Sequence, residues 1–172
     1  HHEEFKINPE NISLCGTSAG GNLAAAVSLK LRNIQDINIK KQILFTPVLD
    51  YDFNTFSYQK YETGYGLEKA NMLFFWEQYL GMPPQNYPLD RHKYFAPLRD
   101  DDDDNIPNTY IITAGCDVLK TEGDLYHKKI SNKSDSILEN YDGAIHGFNT
   151  CIGVISDAET CLKKVVKFLI NA

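Results

Sequence analysis

Residues 15–27 read CGTSAGGNLAAAV, a single serine, Ser18, set among three glycines and four alanines. The stretch follows a short apolar run, ISLCG (12–16), and opens a segment of helical composition, AGGNLAAAVSLKLRN (19–33). Small residues crowd a chain where the backbone turns too sharply for a β-carbon, or where something large passes close to it. GTSAG is a G-x-S-x-G motif in a strand–turn–helix setting, where a serine is held in strained geometry at the carboxyl end of a strand. Gly16 and Gly20 are expected to make room for the turn and for close strand–helix contact. The same glycine-rich turn could be an ordinary structural serine or a phosphate cradle, but it lacks the GK[ST] of a P-loop.

Hydrophobic patterning gives the rest of the order. KQILFTPVLD (41–50) reads as a buried strand ended by Pro47, and NTYIITAG (108–115) as a third strand. TEGDLYHKKIS (121–131) reads as a helix capped by Thr121, SILENYDG (136–143) as a fourth strand, and SDAETCLKKVVKFLI (156–170) as an amphipathic helix capped by Ser156. In the first helix Leu23, Val27 and Leu31 fall four apart on one face. Between the second and third strands, residues 51–95 form an insert rich in Tyr and Phe and broken by Gly and Pro, with one expected helix, EKANMLFFWEQYL (68–80). The sequence β-α-β-insert-β-α-β-α predicts an α/β fold, a mostly parallel sheet with helices on both faces.

A serine nucleophile needs a base, and the base needs an orienting acid. Asp117 directly follows the third strand, and His146 directly follows the fourth. With Ser18 they lie at one edge of a parallel sheet, where the ligand crevice of an open α/β sheet forms. Their chain order, Ser then Asp then His, is that of α/β-hydrolases. The rival acids are Asp124, inside a helix, and Asp142, just before the histidine loop. His127 sits within a helix and His92 in the Pro-flanked insert, so neither competes with His146. The Ala19 N–H, at the start of the helix, is the expected oxyanion donor. The aromatics of the insert (Tyr51, Phe53, Phe56, Tyr58, Phe74, Phe75, Trp76 and Tyr79) fit either an apolar acyl or alcohol pocket or plain core.

Composition narrows the function classes. Lys plus Arg total 17 against 23 Asp plus Glu, a net charge of -6, and no basic stripe supports nucleic-acid binding. No apolar run is long enough to span a bilayer. Cys15, Cys116, Cys151 and Cys161 show no metal spacing and read as thiols of a reducing compartment, which favours the cytoplasm and leaves the secretory pathway open. The run RDDDDDN (99–105) suggests calcium at first sight, but it lacks the spaced ligands and glycine of an EF-hand and reads as a solvated loop.

Four segments in order, NPENISLCGTSAGGNLAAAV, FAPL, IPNTYIITAGCDVLKTEGDLY and YDGAIHGF, resemble the hormone-sensitive-lipase-like esterases of the α/β-hydrolase fold, which include the arylacetamide deacetylases. The resemblance runs over residues 5–172. It implies Ser18 as nucleophile, Asp117 as acid, His146 as base and Ala19 N–H as oxyanion donor, acting on a small-molecule ester of short or medium acyl chain, with no metal or organic cofactor. The commonest family form has Asp where this chain has Thr17. The family's upstream HGGG-type motif, which supplies further oxyanion donors, is absent here, and so are its first strands. Residues 1–172 therefore resemble the C-terminal part of a single α/β-hydrolase domain. A companion chain, a missing N-terminal half or a homo-oligomer would complete it. A non-catalytic, receptor-like binder of small molecules and an acyltransferase are the alternatives.

Overall fold

The computed structural model describes residues 3–8, 11–35, 37–102 and 104–171. Among them, strands β1 (Ile12–Thr17), β2 (Ile39–Phe45), β3 (Asn108–Cys116) and β4 (Ser136–Ile145) form one sheet in the order β1-β2-β3-β4, each neighbouring pair parallel. The helices are α1 (Ala19–Leu31), α2 (Phe56–Lys60), α3 (Lys69–Leu80), α4 (Lys120–Ile130) and α5 (Ser156–Ile170). Parallel strands need crossovers long enough to carry a helix, and α1 and α4 serve as two of them.

The central strands carry unbroken apolar runs, Ile43–Phe45 in β2 and Tyr110–Ile112 in β3, where both their faces are covered. Ile43, Phe45, Tyr110, Ile112 and Ala114 pack with Cys161 and Val165 of α5. Leu44 and Ile111, one residue out of step, pack with Ala24, Ala25 and Leu29 of α1 and with Tyr126 and Ile130 of α4. The expected architecture, a parallel sheet with helices on both faces, is the one observed.

Local expectations fared less evenly. β2 ends at Phe45, and residues 46–50 leave the sheet with Thr46 at a positive φ of 38°. Thr121 does not cap α4, which already begins at Lys120. Its hydroxyl instead accepts the Ser57 N–H at 3.2 Å and so docks α2 on α4. Ser156 is the first residue of α5, with Ile155 in the cap position. The Leu23–Val27–Leu31 face of α1 is not the core face: Leu23 is 53% exposed and Val27 40%. The sheet takes the other side of the helix, through Gly21, Ala24, Ala25, Ser28 and Leu29, with the smallest residues where the backbones come nearest, at Gly16 and Gly21. On the outer side of β1 no strand pairs with it among the described residues.

The aspartate run is not uniformly solvated. Asp100 is buried and holds the guanidinium of Arg32 at 2.5 Å, both side chains being nearly inaccessible. Asp102 adds a contact to Arg32 at 2.9 Å from a half-exposed position, while Asp101 is exposed and Asp103 lies outside the described residues. One aspartate thus ties the insert's exit to the end of α1. A composition-based reading misses this because the five residues look alike. Among the described residues no cluster of His, Cys, Asp and Glu could hold a metal ion, and no helix is long and apolar enough to cross a membrane.

Two glycines decide the strand–helix approach. A β-carbon on Gly16 would sit 2.1 Å from the Gly20 carbonyl oxygen, and one on Gly21 2.9 Å from Cβ of Pro47. Gly20 itself has open space where a β-carbon would go, so its expected packing role falls to Gly21. Gly16→Ala is expected to cost at least about 3 kcal/mol, because backbone rather than a flexible side chain must yield. Gly20→Ala, in an unstrained helical position, should be neutral or stabilise by up to about 1 kcal/mol. Urea unfolding of both variants beside wild type checks the contrast.

Candidate active site

Ser18 connects β1 to α1 in a conformation that side chains rarely adopt, φ 57° and ψ -118°. Neighbouring backbone over-determines it. Its N–H donates to the Phe45 carbonyl at 2.8 Å, and its carbonyl accepts N–H groups from Asn22 at 3.0 Å and Val48 at 3.3 Å. Strain held this way is found where a side chain must be presented in one direction. Ala19 begins α1, so its N–H belongs to the first turn, whose donors have no acceptor within the helix.

Asp117 follows the last residue of β3, and His146 the last residue of β4. A register shift separates the two strands here. Ala114 pairs with Tyr141 and Cys116 with Ile145, so β4 carries extra residues that re-aim its end. Gly115 is required at this shift: a β-carbon there would lie 2.2 Å from the Asp142 carbonyl oxygen.

The three side chains form a hydrogen-bonded chain. His146 Nδ1 is 2.7 Å from Asp117 Oδ2, and His146 Nε2 is 2.9 Å from Ser18 Oγ. Asp117 is buried, and its other oxygen accepts the Leu119 N–H at 3.0 Å. A carboxylate on Nδ1 fixes the proton there and leaves Nε2 bare as an acceptor facing the hydroxyl. Such an arrangement can draw a proton from a serine and return it to a leaving group.

The rivals lie elsewhere. Asp124 pairs with Lys120 at 2.5 Å along α4. Asp142 accepts from the side-chain amide of Asn140. His127 contacts Ser136 Oγ at 2.9 Å, and His92 is buried between the Tyr51 hydroxyl at 2.7 Å and the Tyr87 carbonyl at 2.6 Å.

A cavity of about 470 Å³ opens on Ser18 and Ala19. Its walls are apolar, with Leu23, Val48, Met72, Phe75, Trp76 and Tyr79 among them. The aromatic insert is divided between core and cavity wall. Tyr58 and Trp76 are buried in a core with Phe95 and Val118, Phe75 and Tyr79 line the cavity beside Trp76, and Phe56 and Phe74 are exposed.

Several polar residues that serve the site were not singled out from the sequence. The Asn22 amide donates to the Val48 carbonyl at 2.8 Å and the Phe95 carbonyl at 2.5 Å, sewing the segment after β2 and the end of the insert to α1. The Asn149 amide reaches Thr17 Oγ1 at 3.1 Å and so joins the histidine turn to the serine turn. Glu122 is buried on α4 and accepts backbone N–H groups of Leu49 and Asp50. The available signal was a polar side chain in an otherwise small or apolar stretch, as with Asn22 in AGGNLAAAV.

The sequence model of a family described as the alpha/beta hydrolase fold matches residues 1–150. Arylacetamide deacetylase of Bos taurus is 27% identical over 201 residues, a match covering 84% of this chain and 50% of the relative. Ethyl acetate hydrolase of Pseudomonas putida is 27% identical over 169 residues, covering 97% and 52%. The solved structure of a thermophilic carboxylesterase cloned from a metagenomic library superposes with a TM-score of 0.88 at 30% identity, over 96% of this chain and 56% of that one. The chain spans about half the length of the relatives it matches. With the fold, the family match and these relatives in agreement, the chain belongs to the alpha/beta hydrolase fold family, in its hormone-sensitive-lipase-like branch.

Proposed function

We propose that this site hydrolyses carboxylic esters of short or medium acyl chain through an acyl-enzyme on Ser18. The observation that carries the reading is the unbroken hydrogen-bonded chain Asp117–His146–Ser18, anchored on a strained strand-to-helix turn beside an apolar cavity. His146 Nε2 takes the hydroxyl proton as Ser18 Oγ attacks the ester carbonyl. The tetrahedral oxyanion forms against the Ala19 N–H at the positive end of α1. The alcohol leaves with the proton from His146, and water, activated by the same nitrogen, releases the acid. Asp117 holds the imidazole in orientation and tautomer and stabilises its charged form. Relatives named as an ethyl acetate hydrolase and an arylacetamide deacetylase support the chemistry.

The same reading takes residues 1–172 as part of a larger domain. The relatives are about twice as long, the outer edge of β1 has no partner among the described residues, and Leu23 and Val27 of α1 are exposed. A further strand on the β1 edge would pair its open backbone groups, and its following loop would supply more oxyanion donors.

In the full-length protein a fluorophosphonate probe should attach to Ser18, as mapped by mass spectrometry, and Ser18→Ala should abolish both labelling and ester cleavage. Labelling elsewhere, or full activity in that variant, would overturn the assignment. Across p-nitrophenyl esters, kcat/KM should peak between acetate and hexanoate and fall well before palmitate, and a steady rise to palmitate would reverse the substrate class. Among Asp117→Asn, Asp124→Asn and Asp142→Asn, the first should lose kcat by on the order of a thousandfold or more, because the imidazole loses its tautomer and orientation. The other two should stay near wild type, and steady-state kinetics on the three folded variants decides between them.

A further inference from the structure

Glu122 is a buried carboxylate outside the hydrogen-bonded chain of the site, and among the described residues no cation pairs with it. One of its oxygens, Oε2, accepts the N–H groups of Leu49 at 2.9 Å and Asp50 at 2.5 Å, while Oε1 is buried without a partner. Burial pushes the carboxyl well above its usual range. The two N–H donors pull the other way, and the charges of Asp50 and Asp117 push up again. A carboxylate in such a place is costly, and an apolar residue of similar size would fill the space more cheaply.

What the carboxylate holds accounts for the cost. Residues 46–50 leave β2 through Thr46 at positive φ and run directly beneath the nucleophile. Val48 in this segment donates to the Ser18 carbonyl, accepts from Asn22 and forms a wall of the cavity. Leu49 takes the Leu98 N–H on its carbonyl at 3.0 Å, and Asp50 pairs with Arg99 at 2.5 Å, so the segment's far end is tied to the turn that follows the insert. Glu122 supplies its tie to α4, the helix that begins just after Asp117. Leu49 also shares an apolar cluster with Tyr126 and Ile130 of α4, and Glu122 adds to that packing the hydrogen bonds that join the segment's backbone to the helix.

We infer that Glu122 is a positioning residue of the site. By gripping the Leu49 and Asp50 N–H groups, it fixes Val48 against the Ser18 carbonyl and in the wall of the cavity. This rests on the ester-cleavage reading of Ser18. Its action needs an acceptor oxygen at that point rather than a negative charge, so glutamine, whose amide oxygen can take both N–H groups, should replace it.

The test compares Glu122→Gln, Glu122→Leu and Glu122→Asp in the full-length protein, with rates normalised to the fraction of Ser18 labelled by a fluorophosphonate and with thermal melting recorded. Glu122→Gln should stay within about threefold of wild type in kcat/KM, and Glu122→Leu should lose about thirtyfold or more per labelled site. The loss should be larger for p-nitrophenyl hexanoate than for the acetate, with KM rising more for the longer ester, since the Val48 wall is what moves. A residue that only stabilises the fold would lower the melting temperature and the labelled fraction but leave the rate per labelled site and the chain-length ratio unchanged. That result overturns the inference, as does a Glu122→Gln variant as impaired as Glu122→Leu. If Glu122→Leu does not fold, Glu122→Asp carries the test. It keeps the carboxyl group but falls one methylene short, so it should show the same length-dependent loss, and a wild-type rate per labelled site overturns the inference. A wild-type protein that takes no label on Ser18 overturns the ester-cleavage reading and this assignment together, whereas labelled wild type with unaffected variants overturns this assignment alone.

Discussion

Everything in this structure depends on how closely β1 and α1 meet at Gly16. The strand's backbone passes so near the Gly20 carbonyl that no side chain fits between them. That approach lets the chain reverse direction within one residue, Ser18, and forces that residue into a left-handed conformation. The hydroxyl is thereby raised off the sheet at the helix N-terminus. The small residues of α1 follow from the same constraint, since glycine, alanine and serine stand where the helix comes nearest the sheet and Leu29 reaches it only further along.

The second requirement is that three separate strand ends deliver their residues to one place. A parallel sheet does this naturally, because all its strands end on the same edge. Ser18 comes from β1, Asp117 from β3 and His146 from β4, and the segment after β2 supports them from beneath. β4 reaches far enough only because of the register shift opposite Gly115.

Much of this was legible in the sequence, for physical reasons. Strands buried on both faces must be apolar runs, so β2 and β3 announced themselves. A serine ringed by glycines between a strand and a helix has few structural uses, and the residues directly following β3 and β4 could be placed without coordinates. What the sequence concealed was any distinction made by tertiary contact alone. Leu23 and Val27 obey helical periodicity yet face outward, because periodicity does not say which side meets the sheet. Asp100 and Asp101 are identical in composition, but only the first meets Arg32 in the interior. Thr121 had the chemistry of a cap, and its hydroxyl was taken by Ser57 of a different helix. Glu122 looked like any charged residue in a helical first turn.

The hydrogen bond between His146 and Ser18 joins residues 128 positions apart, across a sheet in which β1 and β4 are the outermost strands among the described residues. No partial pairing of the sheet can produce it. Contacts of such long sequence separation form late, after the loop-closure entropy of every intervening crossover has been met. Ser18 therefore gains its hydrogen bond to His146 only when β4 is in place. On the proposed reading of Ser18 as a nucleophile, a chain with β4 undocked would hold that serine without its base, and labelling at Ser18 would report that β4 is in place.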